Sequence, residues 1–128
     1  MAMIDPSEGF AGLREWSEPL IFDRLSFAYS ELVSENLARP LTRLHARVWR
    51  ALIACDTPTF EALRGTLVSA LKLCTLTPDH LAVVDAEIMD ELLDVVISRY
   101  NRSHRTARAY HVALMELAGR LAPARLAA

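Results

Sequence analysis

TPDHLAVVDAEIMDELLDVVISRY, residues 77–100, decides what kind of chain this is. It opens with Thr77 as a capping hydroxyl, Pro78 at the first helical position, where a missing N–H costs nothing, and Asp79 in the first turn. Leu81, Val84, Ile88, Leu92, Val95 and Val96 follow at helical spacing, so the stretch predicts one long helix to about Tyr100. The acids Asp79, Glu87, Asp90, Glu91 and Asp94 share its solvated face. Met89, Leu93, Ile97 and Tyr100 widen the apolar arc beyond what a single core requires. Such a helix is either central in the monomer or turned toward another subunit. Asp85 falls inside the apolar stripe, where an unpaired carboxylate is costly, and an arginine or a helix end is its expected partner. A functional role is the alternative, because perturbed acids concentrate at sites.

Upstream, Asp56-Thr57-Pro58 starts a helix on Phe60, Leu63, Leu67 and Leu71 that runs to about Leu73, with Gly65 a mild weakness inside it. Before it, Leu41, Leu44, Val48 and Leu52 repeat at 3-4-4 spacing, broadened by Trp49 and Ile53; the break at Arg39-Pro40 places this helix's start at the proline. An earlier helix is predicted from Ser17, with Pro19 in its first turn, through Leu20, Phe22, Leu25, Tyr29, Leu32 and Val33 to about Asn36. Residues 1–16 then form a loose segment or short helix. Downstream, Ser103 caps a last helix on Ala107, Tyr110, Leu114, Leu117 and Leu121, ended by Pro123. The sum is an all-α bundle of five to six helices in one domain, residues 1–128.

The chain has 128 residues, 52% of them apolar and 23% charged, with a formal net charge of -2. That is the make-up of one globular domain, without the basic footprint of a nucleic-acid binder. No basic start or apolar leader is visible, and no apolar run approaches the ~18 residues that span a bilayer, so a cytoplasmic protein is expected. Cys55 and Cys74 end apolar runs outside any zinc-type spacing and are expected as free, buried thiols, with no metal site. There is no phosphate loop, GxSxG or HExxH, and no paired carboxylates lie off the acidic face, which argues against an enzyme. Arg99, Arg102, Arg105 and Arg108, with His104, are a candidate anion or partner patch; the favoured reading is that cations collect at the end of the long helix, opposite its dipole. His45 and His111 lie beside apolar stripes, as hydrogen-bonded boundary residues do.

The order of these features resembles a known family. FAYSEL, residues 27–32, is a tyrosine-bearing helix followed by RLHARVWRALIACDTPTFEALRGTLVSALKLCTLTPDHL, residues 43–81. With Trp49, Ala51-Leu52-Ile53, Asp56, Phe60 and the corner Leu76-Thr77-Pro78, it is similar to the globin domains of bacterial globin-coupled sensors and protoglobins. The likeness spans roughly residues 20–121 and rests mainly on apolar and turn positions. It implies a globin-like fold that dimerises through its last two long helices as a four-helix bundle, with Met89, Leu93, Ile97, Tyr100, Tyr110 and Leu114 at the interface. The family's proximal haem histidine sits about two turns before the corner proline, and that frame puts Leu71 there. Leucine cannot ligate iron, so the resemblance implies a sensory or signal-transducing regulatory module without a cofactor, acting through a protein partner. The alternative is a haem protein using His45, His80 or His111 as axial ligand, with Tyr29 on the distal side.

Overall fold

The structure is a computed structural model that describes residues 6–99 and 105–127, with side chains within 9–98, at 105 and within 107–121. Five helices follow one another: α1 Pro6–Leu32, α2 Glu35–Ile53, α3 Thr57–Leu73, α4 Pro78–Arg99 and α5 Arg105–Ala127. No strand occurs among the described residues. α1 lies against α2, α5 and α4; α2 also carries α3, and α4 pairs with α5. α3 meets α4 only sparingly. The bundle is therefore closed on the side of α1 and open between α3 and the α4–α5 pair.

Two predicted starts are corrected. α1 begins at Pro6, not Ser17, and passes through Pro19; α2 begins at Glu35 and passes through Pro40. In α1 the buried positions Phe10, Leu13, Ser17, Ile21, Leu25 and Tyr29 form one stripe at 3-4-4-4-4 spacing, and burying such a stripe outweighs a helix interruption. Each proline removes one N–H from the ladder. Both sit on exposed faces, and so do Glu15 and Asn36, whose carbonyls lose their partners. Ser17 is not a cap: its hydroxyl donates back to the Leu13 carbonyl within the helix. α5 likewise continues past Pro123 to Ala127 instead of stopping there, since a proline deletes a bond without forbidding helical φ.

The corners are built locally. Asp56 accepts the Thr59 N–H and caps α3, with Pro58 in the first turn, as the sequence predicts. At the next corner the Thr77 hydroxyl and N–H both donate to Nδ1 of His80, at 2.9 and 3.0 Å. Thr77 is thus tied to the helix by a histidine at N3 and does not cap with its own oxygen. α2 and α3 each end on a left-handed residue that is not glycine, Cys55 at φ 61° and Thr75 at φ 59°. The bonds Asp56 N–H to Ala51 O and Leu76 N–H to Leu71 O close both ends in the Schellman pattern.

The N-terminal third of α1 earns its place through two glycines. A Cβ on Gly9 would overlap the Ala109 carbonyl of α5, and one on Gly12 would overlap the Tyr110 ring. Tyr110 in turn sets its ring edge-on to Trp16, with centroids 5.7 Å apart. Gly9→Ala is expected to destabilise the protein by about 1–3 kcal/mol, because backbone must move to admit the methyl. Gly65→Ala, on open surface, should stabilise by about 0.5–1 kcal/mol. Urea unfolding of the two variants measures both signs.

Candidate functional site

Three residues that the sequence flags for separate reasons, Tyr29, His45 and Asp85, meet inside the bundle, joined by Trp49. α1 supplies Tyr29 from its buried stripe. α2 supplies His45 and Trp49, one turn apart on the same face, and α4 supplies Asp85 from between Leu81 and Ile88. The Tyr29 hydroxyl lies 2.7 Å from Nδ1 of His45, and Nε2 of His45 lies 2.7 Å from Oδ1 of Asp85. The same oxygen accepts the indole N–H of Trp49 at 2.9 Å. Tyr29, His45 and Trp49 are fully buried, whereas the Asp85 side chain keeps 15% of its surface.

The direction of the chain follows from what each group can donate. Asp85 as a carboxylate only accepts, so Nε2 of His45 carries a proton toward it, and Nδ1 is left to accept from Tyr29. The polar atoms of a buried Tyr, His and Trp are thereby satisfied across three helices. Burial, then the charge of Asp85 and then Cys74 hold the Tyr29 hydroxyl well above its ordinary pKa. The unfolded chain ionises this tyrosine above about pH 10 while the folded chain keeps its proton, so the associated stability is complete below pH ~10 and falls as pH rises beyond it. Tyr29's share of the slope of unfolding free energy with pH should approach about 1.4 kcal/mol per pH unit. Tyr29→Phe should remove it, as read from denaturant midpoints between pH 9 and 11.

Asp85 also borders a groove of about 600 Å³ between α3 and the α4–α5 pair. Glu61, Arg64, Gly65, Val68 and Lys72 form the α3 wall, Leu81, Met89 and Leu93 line α4, and Met115, Ala118 and Leu121 line α5. The wide apolar arc of α4 is thus partly explained within the monomer, since Met89 and Leu93 turn into this groove. No histidine lines it.

The remaining predicted site residues divide. Asp85 is met by a histidine and an indole, not by the expected arginine or helix end. His45 is a core residue and not a boundary one, and both its ring nitrogens are engaged, which leaves none for iron. His80 is held at its corner by Thr77, and His111 is exposed on α5. Leu71 is buried, at 1% exposure. Of the predicted interface, Met89, Tyr110 and Leu114 are buried in the monomer, and Ile97 remains 49% exposed with Leu93 half-buried. Tyr110 and Leu114 are buried because α1 and α4 both pack on α5. Cys55 is exposed and Cys74 half-buried, so neither is the buried thiol expected; their positions at helix ends lift them out of the core. Arg105 and Arg108 are exposed at the start of α5. The Arg99 side chain, Tyr100, Arg102 and His104 lie outside the described residues, as does the Ser103 cap.

Among the described residues no group of three or more His, Cys, Asp or Glu side chains is placed to hold a metal ion. None of the described helices is long and apolar enough to cross a membrane. No family model matches this chain, and comparison with curated proteins and with solved structures gives no match.

Proposed function

We propose that this chain is a globin-like sensory or regulatory module that works without haem, as a homodimer, and passes changes in helix packing to a protein partner. The observation that carries the reading is the Tyr29–His45–Asp85–Trp49 chain. It ties α1 and α2 to α4 through a single carboxylate oxygen, and that carboxylate stands at the edge of an open groove. Whatever enters or leaves the groove alters the surroundings of Asp85, and with it the seating of α4 on α1 and α2. Such coupling requires two packings that differ in how well they accommodate the occupant. The resemblance to globin-coupled sensors supports the assignment, and the burial of Leu71 with the full engagement of His45 supports the absence of haem. Ile97 on α4, and Val112 and Met115 on α5, are exposed apolar residues suited to contact with a second copy. The module is not an enzyme in this reading and is expected in the cytoplasm.

Two measurements test it. Hemin titration of the purified protein is expected to give no saturable Soret band; a band lost on substituting one histidine would establish a haem protein. Sedimentation is expected to show a dimer that Ile97→Glu converts to monomer. A monomeric wild type removes the dimeric part of the reading.

A further inference from the structure

We infer that the groove between α3 and the α4–α5 pair binds a small apolar primary amine in its ammonium form, the head on the free carboxylate oxygen of Asp85 and the alkyl chain along Val68, Met89 and Leu93. The inference rests on the reading above in that it names what enters the groove and acts on α4 through Asp85.

The head site is built around the two oxygens of one carboxylate. Oδ1 of Asp85 accepts from Nε2 of His45 at 2.7 Å and from the Trp49 indole at 2.9 Å, which fixes the plane of the group. Oδ2 accepts nothing from the described residues, and it is not sealed in: the buried side-chain polar atoms left without a partner are Trp16 Nε1 and Arg64 Nη1. The 15% of the Asp85 side chain that stays accessible therefore includes Oδ2, and the groove is the cavity that Asp85 lines. Both donors to Oδ1 are neutral groups, so the carboxylate keeps its charge without a counterion. A charge taken so far out of water is stabilised by an opposite one. Among the described residues no cation pairs with Asp85. Arg64, which also lines the groove, stacks its guanidinium on Phe60 at 4.6 Å, and Lys72 is exposed on the α3 wall. Glu61 and Asp90 add two more acids to the lining, and α4 carries no Lys or Arg from Pro78 to Ser98. The groove thus favours a cation.

The kind of cation follows from the same geometry. A guanidinium grips a carboxylate with a fork that needs both oxygens, and Oδ1 already holds two hydrogen bonds. A single ammonium N–H needs only Oδ2. The rest of the ligand is set by the walls. Ala82 and Ala86 flank Asp85 on α4, with Met89 and Leu93 beyond them and Val68 on α3. From Asp85 to Leu93 the α4 wall runs roughly 12 Å at the helical rise, room for an extended alkyl chain. About 600 Å³ lies within the ~300–1,000 Å³ of small-molecule sites. Met89 and Met115 supply side chains that adapt to an irregular occupant.

Octylammonium, titrated calorimetrically into the full chain at neutral pH and below its aggregation concentration, is the probe. Saturable binding of one molecule per chain is expected. Octanol and octanoate should bind at least tenfold more weakly, for want of the charge. Octyltrimethylammonium should do the same, for want of an N–H. Butylammonium should also bind at least tenfold more weakly, because it leaves the far end of the groove empty. Asp85→Asn, which puts an amide where the free oxygen can stand, should weaken octylammonium at least tenfold, with circular dichroism to confirm folding. Gly65→Leu enters the groove from a position with nothing within 4 Å of its Cβ, and should weaken binding at least tenfold while leaving the melting temperature unchanged or raised. No saturable heat, equal affinity for octanol or for butylammonium, or full binding by Gly65→Leu or by folded Asp85→Asn would each overturn the inference. Hemin titration and sedimentation are read without amine, so failure of this proposal and failure of the haem-less dimer are told apart.

Discussion

Asp85→Ala is expected to cost about 3–5 kcal/mol of stability. Removing the carboxylate leaves the His45 Nε2–H and the Trp49 indole N–H facing a cavity, and each unmatched buried donor costs roughly 1–3 kcal/mol. Deleting one partner of a buried charge-assisted set is more damaging than never having built it, because the surviving groups keep their desolvation cost. A domain stabilised by about 5–15 kcal/mol loses a large part of that margin. Asp85→Asn, which keeps one oxygen able to accept, should cost about half as much or less. Chemical denaturation of the pair separates the two. If Asp85→Ala unfolds within about 0.5 kcal/mol of wild type, water from the groove satisfies both donors and the network is not structural.

Leu71→His is expected to destabilise by about 3–5 kcal/mol and to create no haem site. The loss combines roughly 1.5–3 kcal/mol of leucine transfer energy with the burial of an imidazole that has no partner. The second half of the prediction follows from direction. Glu61, Gly65, Val68 and Lys72 face the groove, and at 100° per residue Leu71 points about 90° away from them, on the side of Phe60, Arg64 and Leu67, where it is buried at 1% exposure. A ligand restored at position 71 would enter the packed core and not the groove. Hemin titration of Leu71→His, with circular dichroism to confirm folding, checks this. A stoichiometric Soret band would mean that the chain retains a haem pocket lacking only its ligand.

Much of the architecture is legible in the sequence, and the reasons are local. α3 and α4 read correctly from their stripes and from Asp56-Thr57-Pro58 and Thr77-Pro78-Asp79, since caps and prolines act over a few residues. The acidic face of α4 is where periodicity puts it. The starts of α1 and α2 are not legible locally, because Pro19 and Pro40 look like beginnings yet lie inside the helices. Whether a proline begins a helix or merely interrupts its ladder depends on which face is exposed, and that is a property of the neighbours. The stripe Phe10, Leu13, Ser17, Ile21 was present to be read, but Gly9 and Gly12 obscured it. Their meaning is the close approach of α5, which lies about 100 residues downstream.

The candidate site divides in the same way. Tyr29, His45 and Asp85 each stand out in the sequence, as a buried phenol, a histidine near a stripe and a misplaced acid. Nothing in their spacing joins them, since Tyr29 and His45 are 16 residues apart and His45 and Asp85 are 40. The sequence by itself determined an all-helical chain, the corners at Asp56 and Pro78, and a leucine at the position where the family resemblance expects an iron ligand. Periodicity and capping are short-range, and a chain of 128 residues carries them in full. Only the tertiary structure decided that Asp85 meets His45 and Trp49, that Tyr110 and Leu114 are used up inside the monomer, and that α3 diverges from α4 and α5 to leave Asp85 beside an open groove. Those outcomes depend on how whole helices cross, which is set by the sum of many side-chain contacts and by no single local signal.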